Sequence, residues 1–304
     1  MPLRRTSSTR EQGQARLLTE AKGTRTVSVC IPARNEAQTV GRIVAAIHRD
    51  LVESTHLVDE IVVMDHRSTD GTAAVAERAG ARVVSADDVA AEFGPAVGKG
   101  DVLWRSLLAS RGDIVVWVDA DLEAFSSDYV VALVRPLLLD ERVALVKASY
   151  NRSLGGVAGE GGRVTELTAR PALRLQFPEL SHIRQPLGGE YAIRRQVAER
   201  IAFEVDYGVE VGLLIDVAEL VGPGSVAQVD LGTRKHRNRP LRELHEQATQ
   251  VLRSVLDRSG GRPVTLLGLE PLELVHPVPE RVDDLLRGRP LVARILVGHA
   301  TGPS

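Results

Sequence analysis

At 304 residues the chain is long enough to bury a sizeable core in one large domain or two modest ones. Its net charge of −2, with 26% charged residues, excludes a global attraction to nucleic acid or anionic membrane, and 3% aromatic content leaves little material for base stacking. A lone Cys30 inside an apolar run excludes an intrachain disulfide and reads as a small core residue. No stretch reaches the roughly 18–20 apolar residues of a membrane span, and no apolar segment follows Arg4, Arg5 and Arg10 as in a secretory signal, so a soluble, cytoplasmic protein is expected.

Residues 1–24 are polar and predict disorder or a surface arm, with at most a short helix near 10–21. Val27 to Ile31 predict the first strand. Pro32 to Glu36 then turn sharply into a helix over about 37–50, where Val40, Ile43, Val44 and Ile47 recur at helical spacing. The plan repeats with a short strand over 59–65 that ends in acid. A helix follows to Gly80, with Ser68 or Thr69 as its cap. A strand over 82–85, a helix over 98–110 and a strand over 113–121 come next, and helix 127–139 and strand 143–149 extend the series. This alternation predicts an α/β fold with a doubly wound, mostly parallel sheet.

The pattern then changes. Gly155, Gly156, Gly159, Gly161 and Gly162 mark a loop beside the expected ligand edge. Helices are predicted over 165–176, 209–220 and 241–256, with strands over 188–193 and 225–230 between them. The proline-rich tail from Gly260 is expected to wrap the body or a partner subunit.

Chemistry concentrates where the apolar run Ile114 to Val118 meets Asp119 and Asp121. A strand covered on both faces cannot easily bury charge, so both carboxylates belong at its C-terminal end, where open α/β sheets bind ligands. Their i, i+2 spacing lets them project the same way. Two hard anionic oxygens there suit Mg²⁺ or Mn²⁺ with a diphosphate completing the coordination. The plainer alternative is a turn-capping Asp119 and a solvated Asp121. Pro32-Ala33-Arg34-Asn35-Glu36 replaces the G-x-G-x-x-G of dinucleotide enzymes, which removes the main support for hydride chemistry. Gly94 to Gly100 is one residue short of a phosphate loop and lacks its Ser or Thr. Gly98 and Lys99 can still meet a phosphate at a helix N-terminus.

Four motifs in order resemble the nucleotide-sugar half of a GT-A glycosyltransferase: Ile31-Pro32-Ala33-Arg34-Asn35-Glu36, Asp65-x-x-Ser68-Thr69-Asp70-Gly71, Gly98-Lys99-Gly100 and the D-x-D of Asp119-Ala120-Asp121. Gly161 to Leu167, Gln185 to Glu190, Asp206 to Gly212, and Gln228 to Gly232 leading to His236 resemble the actinobacterial glucosyl-3-phosphoglycerate synthases, over roughly 24–258.

The resemblance implies a GT-A fold, with a Rossmann-like, mostly parallel sheet, helices on both faces and a mixed acceptor-binding C-terminal half. The expected parts are the arm 1–24, a nucleotide-sugar half over 25–150, an acceptor half of the same body over 151–258, and an extension over 259–304. The implied reaction is a retaining transfer of glucose from UDP-glucose, or another nucleotide sugar, to the 2-hydroxyl of 3-phosphoglycerate with Mg²⁺ or Mn²⁺. Its product is a precursor of glucosylglycerate and of methylglucose lipopolysaccharides. Pro32, Ala33 and Glu36 then match the uracil and ribose segment, Ser68 a further uridine contact, and Lys99, Asp119 and Ala120 positions near the donor. Asp119, Asp121 and His236 match the metal ligands. Arg163 and Thr165 match acceptor-phosphate contacts, Gly188 and Tyr207 acceptor positions, and Glu210 with Asp121 the catalytic centre. Glu210 is the candidate base or positioning carboxylate. Gly189 stands where the family has Ala, a departure expected to matter little. A homodimer through the C-terminal segments is also implied. The alternatives are a mannosyl-3-phosphoglycerate synthase using GDP-mannose, a polyprenyl-phosphate glycosyltransferase, and a non-catalytic nucleotide-sugar sensor.

Overall fold

The computed structural model describes residues 5–154, 157–158, 162–234 and 244–260. In chain order these form α1 (Arg5–Lys22), β1 (Val27–Ala33), α2 (Val40–Ile47) with a π-helical turn over His48–Glu53, β2 (Glu60–Asp65), α3 (Thr72–Arg78) and β3 (Arg82–Ser85). Next come α4 (Gly98–Ala109), β4 (Ile114–Trp117), α5 (Asp128–Leu139), β5 (Leu145–Leu154), β6 (Val157–Ala158), a π-helical turn over Thr165–Ala169 and α6 (Arg170–Gln176). The body ends with β7 (Tyr191–Arg194), α7 (Arg195–Ala198), α8 (Val209–Val221), β8 (Val226–Arg234) and α9 (Leu244–Ser259).

One sheet runs β3-β2-β1-β4-β7-β5-β6, and β8 pairs with β5. Period-2 alternation splits its side chains between two helical layers. Cys30, Val62, Met64, Val115 and Trp117 bury on the α4, α8 and α9 side. Val29, Ile31, Val63, Ile114 and Val116 bury on the α1, α2 and α5 side. Both faces are thus covered, as the uninterrupted apolar strands require. Cys30 is the core residue expected, and burial pushes its thiol up to about 11. Among the described residues no helix is long and apolar enough to cross a membrane.

Three features differ from expectation. First, most of the predicted arm is helix α1. Ala15 and Leu18 are buried, and the Lys22 ammonium lies 2.9 Å from Asp59 and 2.8 Å from the His56 carbonyl. An average over so many polar residues hides the one face, spaced i, i+3, that packs. Second, strand 143–149 does not sit beside β4. β7 inserts antiparallel between them, pairing Tyr191 with both Trp117 and Lys147. That insertion brings the Gly188–Glu190 turn to the C-terminal end of β4. Third, neither Ser68 nor Thr69 caps α3. Gly71 holds the cap position, in the left-handed region at φ 86°, and the Asp70 carboxylate just before it accepts from the Thr72 N–H at 3.1 Å and from the Ala37 N–H at 3.1 Å.

Residues of the expected donor and acceptor halves share one core. Val115 and Trp117 pack in the same cluster as Phe203, Val211 and Val255. His236 and the tail beyond 260 lie outside the described residues.

Candidate active site

An open cleft of about 590 Å³ lies across the C-terminal ends of β1 and β4. Its volume is within the usual range for small-molecule sites. Pro32, Ala33 and Glu36 form one wall as the chain leaves β1, and Lys99, Asp119, Ala120 and Asp121 form the floor. Arg163, Thr165, Tyr207 and Glu210 stand opposite. Eleven of the residues singled out from sequence thus meet in one cavity. Val118 is 0% and Ala120 4% exposed, while Asp119 and Asp121 are intermediate. The alternation continues past β4 and turns both carboxylates toward the cleft side.

Two expected residues act from behind the wall. Ser68 accepts the Asn35 N–H at 3.0 Å, and the Asn35 side chain accepts the Thr69 N–H at 2.8 Å. Ser68 thereby ties the β1 exit to the β2 exit, with Asn35 in the left-handed region at φ 58°. Gly188 supports the turn that carries Leu187 into the cleft. Thr165 is buried at the start of its π-helical turn and makes no side-chain cap there.

The floor is organised by Lys99. Its ammonium lies 2.8 Å from Asp119 and 2.7 Å from Glu210. Burial alone would lower this lysine, but the two carboxylates outweigh burial and hold it well above its ordinary value. Close backbone packing sets its place. The N-terminus of α4 rests on residues 204–206, and a Cβ on Gly100 would fall 1.8 Å from the Glu204 carbonyl oxygen. Only glycine fits there, so α4 and α8 approach closely enough for Lys99 to reach Glu210.

Gly189, which stands where the family has Ala, lies close against Asp119. A Cβ on it would stand 2.2 Å from Oδ2 of Asp119. The carboxylate therefore occupies space that any side chain would contest.

His66, Leu187, Leu244 and Gln247 also line the cleft, though no motif in the sequence marks them for a role there. Leu244 and Gln247 open α9, more than a hundred residues after Asp119. No local pattern in a short amphipathic helix signals such a return. The Asp119 and Asp121 oxygens form a donor set suited to a hard divalent cation. Among the described residues no group of three His, Cys, Asp or Glu forms a complete metal site. A cation held there would need ligands beyond these two carboxylates.

The glycosyl transferase family 2 profile matches residues 28–201. Over 250 residues the chain is 50% identical to a glucosyl-3-phosphoglycerate synthase of Mycolicibacterium paratuberculosis, covering 80% of this chain and 75% of that protein. The chain belongs to the glucosyl-3-phosphoglycerate synthases of glycosyl transferase family 2. A crystal structure of the Mycobacterium tuberculosis synthase with Mn²⁺, UDP-glucose and phosphoglyceric acid superposes with a TM-score of 0.78 at 42% identity, covering 91% of this chain and 94% of that one. A mannosyl-3-phosphoglycerate synthase from Rubrobacter xylanophilus gives a TM-score of 0.77 at 40% identity, over 85% and 84% of the two chains. The fold is the GT-A fold expected from the motifs.

Proposed function

We propose that the chain transfers glucose from UDP-glucose to 3-phosphoglycerate, assisted by Mg²⁺ or Mn²⁺. The observation that carries this is the Lys99 bridge, which joins Asp119 on the donor side to Glu210 beside the acceptor wall. One ammonium thus sits where a sugar phosphate and an acceptor would meet. Kinship at 50% identity with a glucosyl-3-phosphoglycerate synthase supports the choice of substrates.

In this proposal Pro32, Ala33 and Glu36 hold uracil and ribose, with Ser68 stiffening their loop through Asn35. Asp121, Asp119 and His236 would hold the divalent cation, a Lewis acid for the charge that grows on the leaving diphosphate. Lys99 adds a fixed positive charge close by. The planar Arg163 fork suits the acceptor phosphate, with Thr165 and Tyr207 adding hydroxyls. Glu210 is 4% exposed and its charge is already engaged by Lys99, which favours orientation over proton abstraction. Retention then fits a front-face attack in which a leaving-phosphate oxygen takes the proton of the acceptor 2-hydroxyl. The proposal extends to a cytoplasmic homodimer whose product serves glucosylglycerate and methylglucose lipopolysaccharide synthesis.

UDP release from UDP-glucose tests it, with and without metal and 3-phosphoglycerate, alongside GDP-mannose. Release that requires metal and 3-phosphoglycerate together is expected. Faster turnover with GDP-mannose would move the chain to the mannosyl reaction of its 40%-identical relative. Tight UDP binding without turnover would favour a sensor.

A further inference from the structure

Below the cleft floor lies a second lysine that the proposed reaction does not use. Lys147 stands on β5 in register with Tyr191 of β7 and is 1% exposed. An ammonium at that depth is strongly disfavoured unless it is held. Its Nζ donates to the Gly188 carbonyl at 2.8 Å and lies 4.3 Å from the centroid of the Tyr191 ring. Burial pushes the group down to about 8, opposed by Glu210, Glu190 and Asp119 and reinforced by Lys99.

The carbonyl that Lys147 holds belongs to a tight turn, closed by the Gly188 N–H on the Gln185 carbonyl at 3.1 Å. On one side of Gly188, Leu187 lines the cleft. On the other, Gly189 abuts Asp119 so closely that a Cβ would lie 2.2 Å from Oδ2. The contacts form one continuous series. Lys147 holds Gly188, Gly189 bears on Asp119, Asp119 meets Lys99 at 2.8 Å, and Lys99 meets Glu210 at 2.7 Å. A shift of the turn by a few tenths of an ångström would therefore displace the Asp119 carboxylate and Leu187 together.

We propose that Lys147 is a positioning residue for glucosyl transfer: by locking the Gln185–Gly189 turn from below, it sets the place of Asp119 and Leu187 against the donor. The inference rests on the transferase function proposed above. A lysine suits the task because its long stem spans from β5 to the turn through packed side chains. Its ammonium also holds a carbonyl more firmly than a neutral amide would. A buried polar group kept for the sake of one geometry is the role foreseen here.

The test uses the full chain with Lys147→Met, which keeps the length of the stem and removes the donor. With UDP-glucose, Mn²⁺ and 3-phosphoglycerate, kcat should fall at least about tenfold. The KM for 3-phosphoglycerate should stay within about twofold, because Arg163 and Thr165 belong to another element. Amide exchange of the peptide covering 185–191 should accelerate at least about tenfold, with α2 and α5 unchanged. Exchange is measured without substrate, so it judges the lock even if wild type releases no UDP, an outcome that would sink the transferase function instead. A variant with kcat within twofold of wild type, or unchanged exchange over 185–191, overturns the proposal. So does a kcat loss accompanied by equal loss of protection throughout the fold, which marks plain destabilisation. If Lys147→Met does not fold, Lys147→Gln, polar and one atom too short to reach Gly188, is held to the same thresholds.

Discussion

Replacing Lys99 by Met removes one ammonium and keeps most of its stem. In the native floor that ammonium lies 2.8 Å from Asp119 and 2.7 Å from Glu210, with Lys99 21%, Asp119 20% and Glu210 4% exposed. At an effective dielectric of about 20, each contact carries roughly 6 kcal/mol of Coulomb energy before desolvation. Desolvation cancels much of that, and removing one partner of a buried pair costs about 3–5 kcal/mol. The partial exposure of Lys99 and Asp119 places this loss near ~3 kcal/mol, or a fall of about 6–12 °C in Tm. Urea unfolding of wild type, Lys99→Met, Glu210→Gln and the double variant measures it. In Lys99→Met two carboxylates face each other without a counter-charge. The double variant removes one of those charges and should regain at least about half of the loss. A double variant no more stable than Lys99→Met would refute the ion-pair account and leave only stem packing. The carboxylates raise the folded-state value of Lys99 above its unfolded one. Its contribution is thus fully present below the unfolded value of about 10.4 and lost only as pH climbs through the folded value. The gap between wild type and Lys99→Met should accordingly stay flat from about pH 6 to 9.

Lys147 has the opposite sign. Burial lowers it to about 8, so above that pH the unfolded chain binds a proton that the native state has lost, and stability rises with pH up to the unfolded value near 10.4. Relative to Lys147→Met, wild type should gain about 3 kcal/mol in urea unfolding across that window, and a flat difference would contradict the shift. Asp121→Ala should keep its Tm within about 2 °C yet lose metal-dependent UDP release by at least ~100-fold, and full activity would remove the metal role. Arg163→Lys should raise the KM for 3-phosphoglycerate by about tenfold without changing that for UDP-glucose, because an ammonium cannot reproduce the planar fork. Gly100→Ala should destabilise by about 3 kcal/mol in urea unfolding, since its Cβ meets the Glu204 carbonyl at 1.8 Å.

How far each feature could be read from sequence follows the range of the interaction that makes it. The strands β1 to β4 and the helices between them rest on local periodicity, and their observed limits fall within a few residues of those expected. Asp119 and Asp121 were readable for the same reason, because a buried strand must discharge its carboxylates at one end. β7 was not. A four-residue strand gives no local sign that it will enter antiparallel between β4 and β5. The extent and packing of α1, beyond the short helix expected near 10–21, were missed because its anchors, the Lys22 contacts with Asp59 and the His56 carbonyl, join residues more than 30 apart. The Lys99–Glu210 contact depends on Gly100 lying against a carbonyl 104 residues later, which no motif states.

Lys147 marks the far end of that scale. It lies in a strand whose apolar neighbours, Leu145, Val146 and Ala148, read as ordinary core. Its partner is a backbone carbonyl 41 residues away, which leaves no side-chain signature. Side chains that touch a ligand tend to fall in recognisable motifs because their chemistry restricts residue type. Groups that hold those side chains in place are restricted only by reach and burial, so they become visible when the chain is folded. The Gly188 carbonyl and the bare Cα of Gly189 are of this second kind, and through them the depth of a strand reaches the surface of a cleft.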